Sequence, residues 1–189
     1  MIYSLWFVMY DRSRMSSAQS SLRPQDIVIL LRILTWPADT VWRHLDIARD
    51  LGLSQAEISL SLERCRRAQF LSEDKKTVFR NNLLEFIIHG LKYVYPGQMS
   101  GSMVSGVPTA HSASPLKEHI VSEVAYVWPS AEGTVRGTGI IPFSNTVLNG
   151  ARCDARLYEM LALIEALRVG RARERNMAAD ELKQRILAA

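Results

Sequence analysis

The run from Val41 to Ala68, VWRHLDIARDLGLSQAEISLSLERCRRA, restricts the fold more than any other part of the chain. Apolar residues recur there at three- and four-residue spacing on both sides of Gly52-Leu53-Ser54, the period of two amphipathic helices joined by a very short turn. The first helix is expected at about Thr40 to Leu51, with Val41, Leu45, Ala48 and Leu51 inward. Gly52 closes it, where a left-handed residue is wanted. The second opens at Ser54 and runs to about Ala68, burying Ile58, Leu62 and Cys65. Ser54-Gln55-Ala56-Glu57 reads as a capping box, in which the serine oxygen accepts from the third helical N–H and the Glu57 side chain reaches back.

The flanks extend this unit. Pro24 suits the first turn of a helix, where its missing N–H has no partner to lose. Ile27, Leu30, Leu31 and Leu34 then give one apolar face, and Trp36-Pro37 stops the helix. After Ala68, Phe70-Leu71 and Thr77-Val78-Phe79 bracket the polar run Ser72 to Lys76, the pattern of a short hairpin with a charged tip. Asn81 to Tyr95 is a fourth helix, apolar around nearly its whole circumference, so it is either central or a subunit interface. Residues 98–114 are rich in Gly, Ser and Pro and read as a linker. Strands are expected at His119 to Trp128 and Thr134 to Ile141, irregular chain from Phe143 to Gly150, a helix from about Asp154 to Arg168 and, after a break near Gly170, a second helix to about Leu187.

The fold class is therefore mainly α, with α+β character. It divides into an N-terminal extension (1–21), a helical unit with a small hairpin (22–97), a linker (98–118) and a smaller, mostly helical C-terminal region (119–189). With 48% hydrophobic and 22% charged residues the chain can bury a core. Its net charge of +4 permits a polyanionic partner without requiring one. Cys65 and Cys153 fit neither zinc nor redox spacing, which suits a reducing cytoplasm. MIYSLWFVMY at the N-terminus is too short to span a bilayer and lacks the flanks of a secretory signal. It reads as an early translation start ahead of Met15, a strand that pairs elsewhere, or a cloning remnant; the polar SSAQSS after Met15 favours the first. No membrane association is expected.

Residues 41–79, with LGLSQAEISLSLERCRRAQFL at their centre, resemble the winged helix-turn-helix of MarR-like and related bacterial regulators. The match covers about forty residues well and about seventy with the flanking helices. Two positions depart from the pattern: Gln69 stands where several relatives carry glycine, and Leu60 where they carry a basic residue. The resemblance implies a transcription regulator that binds double-stranded DNA as a homodimer, because one winged helix reads only a few base pairs. The helix from Ser54 to Ala68 would enter the major groove and the wing from Ser72 to Val78 would lie on the backbone.

On that helix Gln55 can pair with an adenine edge, Ser54 and Ser59 can serve a base or phosphate, and Arg64 and Arg67 would take phosphate or guanine. Lys75 and Lys76 supply the wing. The fourth helix and the helix from Asp154 to Arg168 are the candidate dimer surfaces, and the C-terminal region could bind a protein partner. The competing expectation is a winged-helix interaction module, antitoxin-like or adaptor-like, with little DNA binding.

Other candidates carry less. His89, within an apolar helix, reads as packed or hydrogen-bonded. His111 and His119, near Ser112, Ser114 and Glu118, form no recognisable catalytic spacing. GTVRGTG (133–139) lacks the Gly-Lys-Ser/Thr ending of a phosphate loop and reads as turn and strand. Arg168, Arg171, Arg173 and Arg175 read as a solvated helix face, with a second nucleic-acid or partner contact as the alternative. No enzyme activity, metal or cofactor is expected.

Overall fold

The sequence DIVILLRILT has no polar side, and the computed structural model, which describes residues 21–188, places it accordingly. Helix α1 (Pro24–Thr35) is buried from Asp26 to Thr35 on every face. Val28, Ile29 and Ile33 are enclosed along with the expected stripe Ile27, Leu30, Leu31 and Leu34. Each fully buried aliphatic side chain of this size is worth about 1.5–3 kcal/mol relative to exposure, which makes α1 the axis of the molecule. The readings of the N-terminal MIYSLWFVMY lie outside the described residues.

Helix α2 (His44–Leu51) starts later than Thr40, because Asp46 accepts the Arg43 N–H at 2.9 Å and fixes the first turn there. Val41 is consequently 91% exposed and Leu45 51% exposed, against the expectation that both face inward, and Trp42 and Ile47 are buried in their stead. Gly52 adopts φ +68°, and its N–H returns to the Ala48 carbonyl. A Cβ there would also lie 2.5 Å from Asn149 Nδ2, which donates to the Leu51 carbonyl. Helix α3 (Gln55–Arg67) follows, with the Ser54 hydroxyl accepting from Glu57 N–H at 3.1 Å. It ends where Gln69, at φ +58°, reverses the chain and Phe70 N–H bonds Cys65 O at 2.9 Å. This position is left-handed, a conformation glycine adopts most readily, and is held here by a residue with a Cβ.

Leu71 and Val78 form a single antiparallel bridge pair that closes the hairpin, and its tip turns through Lys75 at φ +60°. Helix α4 comprises Arg80–Glu85, a π-helical turn over Phe86–Gly90, and Leu91–Val94. It buries Leu83, Leu84, Ile87 and Leu91 but leaves Tyr93 and Val94 exposed, so its apolar circumference is only partly covered.

The expected linker is instead the longest strand. β1 (Gln98–Pro108) pairs antiparallel with both β2 (Tyr126–Pro129) and β3 (Val135–Ile141), and β2 pairs parallel with β3, closing a three-stranded sheet on itself. The closure explains the misleading composition. A Cβ on Gly106 would stand 2.1 Å from the Trp128 carbonyl oxygen, so the strands approach too closely for side chains. Gly106 thus reflects tight backbone packing rather than a loop, while Gly101, at φ +72° with open space around it, lies where the strand pairing shifts register. Strand β2 is shorter than His119 to Trp128, with Val121, Ser122 and Glu123 exposed ahead of it.

The segment expected to be irregular contains α5 (Val147–Cys153). Asp154 then caps α6 (Ala155–Val169), accepting from Leu157 N–H at 2.9 Å, and α7 (Ala172–Ala188) packs Ala178, Leu182 and Ile186 inward. Helix α6 is buried throughout from Leu157 to Leu167 except at Tyr158 and Glu159. Its apolar stripe is covered by its own chain, which removes it as a candidate dimer surface. One hydrophobic core runs without a break from Ile27 to Ile186 and joins the two halves. Among the described residues no helix is long and apolar enough to cross a membrane.

Candidate nucleic-acid interface

Helix α3 has two flanks with opposite electrostatic fates. On the inner flank Arg64, 3% exposed, forks onto Asp26 of α1, with Nε to Oδ2 and Nη2 to Oδ1 both at 2.8 Å. The same Nη2 donates to Glu57 at 2.8 Å and to the buried Ser61 hydroxyl at 2.7 Å. Asp26 also accepts the Arg23 N–H at 2.8 Å. The guanidinium is held protonated by its carboxylate partners, Asp26 foremost. Arg64 therefore bolts the helix to the core and is not on the outward face, which corrects the role expected for it. The signal was Asp26, a carboxylate opening an otherwise apolar helix, which requires a buried cation. Glu57 is drawn towards Arg64, Gln25 and Arg23 instead of returning to the Ser54 N–H, so only the serine half of the capping box forms.

On the outer flank Ser54, Gln55, Ala56, Ser59 and Leu60 are all exposed. Gln55 and Ser59 make no side-chain hydrogen bond among the described residues. Towards the C-terminal end, one carboxylate gathers three cations. Glu63 Oε1 accepts from Arg66 Nη2 at 2.8 Å and Arg67 Nε at 2.9 Å, while Oε2 accepts from Arg66 Nε at 3.1 Å and Lys75 Nζ at 2.9 Å. These bonds, Arg66 first, hold the Glu63 carboxyl far below its ordinary value. Arg66 also meets Glu73 at 2.7 Å. Lys76 lies apart, its ammonium 4.4 Å over the Trp42 ring, at the rim of a cleft of about 240 Å³ floored by Ile33, Leu34 and Val78. Sequence reasoning passed over the exposed Arg43 and Arg49 of the α2 segment, each beside an acidic neighbour, Asp46 and Asp50.

The remaining candidates are structural. Arg168 is not solvated: its side chain is enclosed, pairs with the buried Glu165, and donates to the Tyr95 carbonyl at 2.8 Å and the Pro96 carbonyl at 2.9 Å. Glu165 also accepts from Trp128 Nε1 and Phe143 N–H at 3.2 Å, and burial raises its carboxyl above the ordinary value. His89 is exposed, contrary to its expected packing. His111 is buried against Tyr126, with Nε2 3.2 Å from the Val124 carbonyl. Ser112 accepts from Tyr126 N–H and Ser114 donates to Glu118, so these hydroxyls serve the loop. Among the described residues no three His, Cys, Asp or Glu side chains gather to hold a metal ion.

Comparison with known proteins finds no matching family model, no matching curated protein and no matching solved structure.

Proposed function

We propose that the chain is a bacterial-type transcription regulator that binds double-stranded DNA sequence-specifically through a winged helix-turn-helix. Helix α3 reads the major groove, and the hairpin between Ser72 and Val78 lies on the backbone. The observation that carries this reading is the contrast between the two flanks of α3. Its inner flank is clamped to α1 by Arg64 and Asp26, while Gln55 and Ser59 are exposed and uncommitted on its first turns. A rigidly mounted helix whose N-terminal polar side chains point into solvent is what base-edge recognition needs. Arg67 and Lys75 flank it, Lys76 stands on the hairpin, and Arg43 and Arg49 add exposed charge on the neighbouring segment. A homodimer supplies the second half-site, and the exposed Tyr93 and Val94 of α4 are its candidate contacts. The reading places the protein in the cytoplasm.

One observation favours a second reading, an interaction module of antitoxin or adaptor type. Leu45 and Leu60 are each 51% exposed, and apolar residues of that size on α2 and α3 suit a protein partner as well as a thymine methyl. Anisotropy titration with labelled duplex from upstream of the gene, beside a scrambled duplex, separates the two. Wild type is expected to prefer the upstream duplex, and Gln55→Ala/Ser59→Ala to lose that preference by about ten- to a hundredfold. Equal binding of both duplexes, untouched by the substitutions, overturns operator reading for that DNA; a stoichiometric co-purifying protein then supports the second reading.

A further inference from the structure

The cluster around Glu63 has the donor geometry of a phosphate clamp with its own anion already in place. Arg66 forks onto the carboxylate through Nε and Nη2, Arg67 adds Nε, and Lys75 reaches across from the hairpin tip. Four charge-assisted bonds of 2.8–3.1 Å on two oxygens from three cations are the arrangement with which proteins hold a phosphodiester. The hairpin contributes at a conformational cost, since Lys75 sits at φ +60°, which side-chain-bearing residues seldom adopt. The cluster is also accessible: the side chains of Glu63, Lys75 and Arg67 are 28%, 35% and 49% exposed. A carboxylate at this spot cancels positive charge on the surface where a DNA-binding protein gains most from keeping it.

We propose that Arg66, Arg67 and Lys75 form a backbone-phosphate site that Glu63 occupies in the free protein, and that Glu63 thereby suppresses sequence-independent DNA binding. This rests on the DNA-binding reading above and adds to it a threshold on overall affinity that touches no base. A phosphate takes the cations only by displacing Glu63, and that cost falls on every duplex equally. Operator DNA repays it through Gln55 and Ser59, whereas other DNA has nothing with which to do so.

The test is anisotropy titration of wild type, Glu63→Gln and Lys75→Gln on the upstream and scrambled duplexes across a series of salt concentrations. Thermal melts establish that each variant is folded. Glu63→Gln is expected to bind both duplexes about tenfold more tightly with the ratio between them unchanged, and to steepen the log–log salt dependence by about one to two. Lys75→Gln is expected to weaken both duplexes and flatten the slope by about one. A purely structural role for Glu63 would not steepen the salt slope. Unchanged slope and affinity in a folded Glu63→Gln, or weaker binding, overturns the proposal while leaving DNA binding intact. Failure of wild type and Glu63→Gln alike to bind any duplex at low salt overturns both readings.

Discussion

Arg64 and Arg67 sit within one turn of each other on α3, yet their surroundings give them different tasks. Arg64 is enclosed with Asp26, Glu57 and Ser61; its two bonds to Asp26 fix the helix to α1, and those to Glu57 and Ser61 hold the guanidinium within α3. Arg67 is half exposed and shares Glu63 with Arg66 and Lys75 across two neighbouring elements. Similar hydrogen-bond lengths hide unlike energetics. Removing one member of a buried pair strands its partner's charge away from water, whereas an exposed pair exchanges one set of hydrated contacts for another.

The sharpest way to break this contrast is Arg64→Met, which leaves Asp26 buried and unpaired. A loss of about 3–5 kcal/mol is expected, read as the shift in urea midpoint. Asp26→Leu/Arg64→Met removes both charges and should recover most of that loss. A double variant no more stable than the single one would show that the pair itself, and not the stranded charge, sets the cost. Arg67→Ala is the matching exposed change, with an expected effect below about 1 kcal/mol.

The same contrast marks what the sequence made legible. The cap at Ser54, the left-handed Gly52, the end of α1 at Trp36-Pro37 and the existence of α3 were readable because each is decided within a few residues. Arg64 was not, since its partner lies 38 positions away and helical periodicity cannot see a buried acid on another helix. Strand β1 was hidden for a related reason: Gly106 answers to backbone atoms of β2 rather than to local propensity. Val41 and Leu45 misled because apolarity was taken for burial, and surface apolar residues are common. Of the polar residues assigned to a DNA face, Ser54, Gln55, Ser59, Arg67 and Lys76 are exposed and Lys75 is half-buried; Arg64 is the exception.

Two smaller effects refine the outer flank. The Glu63 carboxyl stays ionised well below its ordinary value of 4.5, so acidification protonates it in the unfolded chain first. Its contribution is complete above that pH and is lost progressively as pH falls below it. Glu63→Gln should therefore flatten the decline of melting temperature between about pH 5 and 3, modestly because the group is solvated. An unchanged decline would mean that Arg66, Arg67 and Lys75 do not hold it in solution. Gln69→Gly relieves a Cβ at φ +58° and should raise stability by about 0.5–1 kcal/mol, less the entropy that glycine adds to the unfolded chain. A fall in melting temperature would show that the Gln69 side chain contributes more than its backbone costs.

The covering of α1 by α6 also governs how the chain comes off the ribosome. Arg32 on α1 meets Asp154, the cap of α6, across 122 positions of sequence. At about 5–20 residues per second, α1 waits on the order of ten seconds with one apolar flank bare. The apolar α1 is thus exposed throughout that interval, and translation pausing before α6 should cost soluble yield more than pausing after it.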